Sequence, residues 1–180
     1  FLTFLQSLNI HSSKELVINA EGKNNLYHPS ADFTFIERKV KGWIDTLIAK
    51  RVEVIFFLID FDNSDKCFSH FKLKVYHLQN NRIVIAKQVL EAWYLADNNA
   101  LSNYLLQKII QINNPESFLF PFEEIKSLRQ QYQNRGIADK KILTKDMIKS
   151  GFTLPNAAAH PQCFSAQYFL SKLSALKVSL

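Results

Sequence analysis

Glycine is scarce: four in 180 leave no G-x-G-x-x-G turn, no Walker sequence and no G-x-S-x-G elbow. Nucleotide hydrolysis through a Gly-rich phosphate loop and serine-hydrolase chemistry are disfavoured on that ground. Two cysteines, Cys67 and Cys163, cannot build a disulfide framework. The first residues also lack the basic, apolar and small-residue order of a secretion signal, so a reducing cytoplasm is the expected setting. No apolar run approaches the roughly 18 residues a membrane span needs. The longest, around Val54 to Ile59, is stopped by Asp60, and no membrane partner is expected. Repeats and low-complexity segments are absent as well.

What the chain does have is 47% hydrophobic and 13% aromatic residues, enough for a sizeable core and too many for a disordered tail. A single domain over 1–180 is expected, with 1–114 as an α/β core and 115–180 as a helical C-terminal extension. The net charge of +6 permits a polyanionic partner without requiring one.

Phe33, Ile36, Val40, Trp43, Ile44, Leu47 and Ile48 recur at spacings of three and four, which predicts an amphipathic helix over 31–48 capped by Asp32. "RVEVIFFLID" then reads as a strand covered on both faces, "ELVINA" as a shorter one over 16–20, and "RIVIA" as a third over 82–86. Helical spacing takes over at Val89, Leu90, Trp93 and Tyr94. Helices are predicted over 123–132, 139–149 and 164–176, punctuated by Pro115, Pro121, Pro155 and Pro161. This rhythm predicts the α/β class: a parallel sheet flanked by helices, with the helical C-terminal half packed on it.

Parallel sheets bind ligands beyond the carboxyl ends of their strands, where "LIDFDNSD" places Asp60, Asp62 and Asp65 and "AEGK" places Glu21 and Lys23. Two or three carboxylates there suit a hard cation such as Mg²⁺ or Mn²⁺; the other reading is a polar turn at a strand end. Glu91, inside the apolar run "VLEAWYLAD", is costly to desolvate without a partner and is a further metal ligand or general base, or else a solvent-facing helix residue. Trp93 and Tyr94 read as core. Lys140 and Lys141, beside Lys145, Arg129 and Arg135, are either contacts to a nucleic-acid backbone or a solvated helix face. Cys67-x-x-His70 and His160-x-x-Cys163 have zinc-ligand spacing, but the halves lie far apart, and magnesium or manganese is expected rather than zinc.

The strings "AEGKNNL", "LIDFDNSD", "QVLEAWYLAD", "NPESF" and "CFSAQYFLSKL", in that order, resemble a family of bacterial proteins carrying a TOPRIM-like domain. That is the Rossmannoid metal-binding fold of topoisomerases, primases and overcoming-lysogeny-defect nucleases. The resemblance implies Mg-dependent phosphodiester hydrolysis on nucleic acid, with Asp60 and Asp62 as an Asp-x-Asp pair, Glu91 as ligand or base, and Lys23, Lys140 and Lys141 toward the nucleic acid. The family's first Glu falls on Glu21, or upstream of Phe1 if "FLTFLQSLNI" is the helix that follows it. The second reading is a non-catalytic binding module, partner of an ATPase in a phage-defence system.

Overall fold

The computed structural model describes positions 42, 45, 46 and 49 and residues 57–61, 83–87 and 90–174. Its two strands, β1 (Phe57–Phe61) and β2 (Ile83–Lys87), pair in parallel with Phe57 opposite Ile83 and Asp60 opposite Ala86. They fall where the β-branched and aromatic runs predict strands. Gly42, Asp45, Thr46 and Ala49 are helical and exposed, and Thr46 Oγ1 donates to Gly42 O at 2.7 Å. Val54 lies outside the described residues, as does the whole predicted strand over 16–20.

From residue 90 to residue 174 the chain is helical or loop. α1 (Glu91–Ala96) and α2 (Asn98–Tyr104) follow β2 at once; a 3₁₀ turn (Pro115–Ser117), α3 (Pro121–Gln133), α4 (Lys140–Lys149), α5 (Leu154–Ala159) and α6 (Phe164–Ser174) complete the unit. Proline marks several starts because its fixed φ suits a first helical turn whose N–H groups have no acceptor anyway. Pro115, Pro121 and Pro155 all sit there. Asp139 and Thr153 cap α4 and α5, accepting from Ile142 N at 2.8 Å and Asn156 N at 3.2 Å.

α4 ends in a Schellman motif: Phe152 N donates to Met147 O and Gly151 N to Ile148 O, each at 3.0 Å. This turn needs Gly151 at φ +94°, and a Cβ there would meet nothing within 4 Å. Gly151→Ala therefore carries backbone strain without a clash. A loss of about 1 kcal/mol is expected, read as a lower urea midpoint at unchanged slope.

The core crosses residue 114. Trp93, Tyr94, Leu95, Leu101, Leu105, Ile125, Leu143, Met147, Leu154, Phe169 and Leu173 form one buried cluster fed by all six helices. Trp93 stacks on Phe169 with ring centroids 5.4 Å apart, and Tyr94 meets Phe152 edge-on at 4.8 Å. All six residues of α1 are buried. A helix buried all round is the centre of a helical core, not one layer of a coat over a sheet.

The α/β expectation is corrected on this point. A TOPRIM-like Rossmannoid parallel sheet flanked by helices is not what the described residues form: they are predominantly helical, and β1 and β2 are the whole of the sheet among them. The C-terminal helices, read from sequence as packing on a sheet, instead enclose α1, while α6 also lies against β2. Among the described residues, no helix is long and apolar enough to cross a membrane.

Candidate functional site

Because β1 and β2 run parallel, their C-terminal ends lie side by side. Asp60 is the penultimate residue of β1, in register with the penultimate residue of β2. Gln88 to Leu90 alone separate β2 from Glu91, which opens α1. Two of the predicted site acids thus follow the course of the two strands: Asp60 lies near the end of β1, and Glu91 opens α1, the helix that comes after β2. Asp62, Glu21, Lys23 and Asp65 lie outside the described residues, as do Cys67 and His70.

Glu91 is 5% exposed. Its Oε1 pairs with Lys140 Nζ at 3.1 Å, and its Oε2 is buried with no hydrogen-bond partner among the described residues. Lys140 reaches it from the first position of α4, its ammonium lying 5.9 Å from the centroid of the Phe122 ring. A buried carboxylate oxygen without a donor is costly, and a bound cation is one means of satisfying it. A carboxylate of this kind suits a hard cation, although among the described residues no three His, Cys, Asp or Glu side chains gather into a metal site. Lys141, the next residue, is exposed.

The other acid of the same string does different work. Asp97 Oδ1 accepts from Ala100 N at 3.0 Å, capping α2, and its Oδ2 accepts from Thr153 N at 3.0 Å, 56 residues away. Both oxygens are engaged by backbone, so Asp97 ties the α1–α2 corner to the turn that follows α4.

Three of the five strings that carry the resemblance meet in a buried network to which sequence reasoning assigned no role. Trp93 Nε1 donates to Ser165 Oγ at 2.7 Å; Ser165 donates both its hydroxyl and its backbone N–H to Glu116 Oε1, the latter at 2.8 Å. "EAWYLAD", "CFSAQ" and "NPESF" each supply one member. Their signal was a buried-prone Trp, a Ser and a Glu inside otherwise apolar strings, too far apart in sequence for spacing to join them.

His160 and Cys163 are unsuited to zinc as they stand. His160 Nε2 donates to Ile112 O at 2.7 Å and Nδ1 accepts from Gln162 N at 3.1 Å, so both ring nitrogens are in use. Burial, and then the charge of Glu116, pushes the Cys163 thiol up to about 12, away from the thiolate a metal needs. The raised value favours the folded state fully below the ordinary thiol pKa of about 8.5, and that contribution is lost as pH climbs through about 12. Iodoacetamide at pH 9 is expected to leave Cys163 unmodified in native protein and to label it in urea, as read by peptide mass mapping. Labelling of the native protein would contradict the burial.

Arg129, grouped by sequence with the lysines, faces inward. It donates to Tyr104 Oη at 2.6 Å, lies over that ring at 4.9 Å, and pairs with Asp146 at 3.5 Å. Burial raises the Tyr104 hydroxyl pKa, and Arg129 partly offsets it. No protein-family model matches the chain, and no curated protein or solved structure matches it either.

Proposed function

We propose that the chain carries a Mg²⁺- or Mn²⁺-dependent phosphodiester hydrolase, or a related phosphoryl-transfer activity, acting on nucleic acid in the cytoplasm. The observation that carries this reading is Glu91: a buried carboxylate with one oxygen unsatisfied among the described residues, at the start of the helix that follows β2. Asp60, Asp62 and Glu91 would hold the cation, with Glu21 or an upstream Glu completing the set. When bound, the ion would polarise the phosphate and activate water. Glu91 would contribute a held position, because every residue of α1 is buried. Lys140 compensates its charge in the meantime.

That same ion pair favours a second reading, a non-catalytic module that binds nucleic acid or a partner ATPase. A carboxylate already neutralised by an ammonium group has less need of a cation. The two readings separate in one experiment: the protein and its Asp60→Ala variant incubated with DNA and with RNA in Mg²⁺ or Mn²⁺. Cleavage by wild type and none by the variant supports the hydrolase. No cleavage by either, with binding retained, supports the module.

A further inference from the structure

The exposed face of α4 breaks two local rules. Lys141, Lys145 and Lys149 follow one another at intervals of four, so they stand in one row about 6 Å apart along the helix. Like charges at that spacing repel, costing a few tenths of a kcal/mol per pair. Lys140 and Lys141 also sit in the first turn, where the helix dipole disfavours cations. Lys140 is accounted for by Glu91 and Lys149, in the last turn, by the helix dipole; Lys141 and Lys145 are not.

All three are exposed and take part in no ion pair among the described residues. The one acid of α4, Asp146, is drawn to Arg129 on α3 instead. The row lies opposite the buried face of Leu143 and Met147 and begins at the residue after the one that touches Glu91. A row of cations that lacks acids and whose members repel one another is the pattern expected where a ligand supplies the negative charge. Its regular spacing suits a polymer with charge repeated along a line, as a phosphate backbone has.

We infer that Lys141, Lys145 and Lys149 form a ridge that binds the phosphate backbone of a nucleic acid and leads it toward Glu91. The inference rests on the nucleic-acid reading proposed above and extends it to a named surface. It differs from the basic cluster visible in sequence by gaining Lys149 and losing Lys140, Arg129 and Arg135.

The test is fluorescence anisotropy with labelled 20-mer single- and double-stranded DNA, in EDTA, from 50 to 200 mM salt. Three proteins are compared: wild type, K141Q/K145Q/K149Q, and a control, K108Q/K126Q/K172Q, with the same charge change elsewhere. Circular dichroism confirms that each is folded. For duplex, each phosphate contact contributes about 0.9 to the log–log salt slope, so the ridge variant is expected to lose about 2–3 from it and to bind at least tenfold more weakly at 100 mM. The control should keep the wild-type slope. Equal slopes for the two triple variants would overturn the inference, as would a ridge variant that keeps its DNA slope and loses only binding to polyglutamate. Because metal is absent, failure of the cleavage assay would sink the hydrolase reading and leave this slope result standing.

Discussion

Asp97→Asn is expected to lower stability by about 2–4 kcal/mol, a fall of roughly 5–15 °C in Tm for a chain of this size. The carboxylate accepts two backbone N–H groups, from Ala100 and Thr153, and is itself 1% exposed. An asparagine can keep one of these bonds. Its NH₂ then faces the other N–H donor to donor, leaving a buried group unsatisfied at a cost of about 1–3 kcal/mol, in addition to weakening the α2 cap. Asp97→Ala removes both acceptors and should be at least as damaging. Differential scanning calorimetry reads the effect. Unchanged Tm in Asp97→Asn would mean that the bridge between the α1–α2 corner and Thr153 carries no weight. A catalytic Asp97 would show the opposite profile, with activity lost and stability kept.

Glu91→Gln and Asp60→Ala are expected to reduce metal-dependent cleavage by at least about 100-fold, the scale on which a positioned acid, base or metal ligand acts. The glutamine keeps the size of the side chain and removes its charge. Lys140, whose side chain is 55% exposed, returns to water, so the change in stability should stay near 1 kcal/mol or less. The kinetic and thermal effects are thus expected to separate, in the reverse sense to Asp97.

Legibility of the sequence divided along physical lines. Local signals were good: Asp139 as an α4 boundary, a helix over 123–132 that the structure starts two residues earlier at Pro121, and the β-branched runs that became β1 and β2. These features depend on residues a few positions apart, where period and capping chemistry act. Long-range partners were not legible. Nothing in the spacing connects Glu91 with Lys140, Trp93 with Ser165, or Asp97 with Thr153, because hydrogen bonding across a core depends on packing, not on period.

The fold class failed for a related reason. Strand-then-helix rhythm was read as a sheet with a helical coat, whereas the apolar residues of α1 are satisfied by other helices. "EAWYLAD" shows the consequence at the level of single residues. Most of the string is core and tether: Trp93 and Tyr94 inside, Asp97 engaged at both oxygens. Within the string, Glu91 alone retains an oxygen that the described residues leave unsatisfied, a condition it shares with Glu116 Oε2 outside it. A string that looked like one chemical motif is thereby divided into a structural majority and a single candidate ligand.

The most direct measurement compares Glu91→Gln with Asp97→Asn in two readouts on the same preparations: Mg²⁺-dependent cleavage of labelled nucleic acid, and Tm. The division predicts that Glu91→Gln abolishes cleavage with Tm nearly unchanged, and that Asp97→Asn loses Tm while its folded fraction still cleaves below the transition. Full cleavage by Glu91→Gln, or a collapse of Tm in that variant alone, would contradict it.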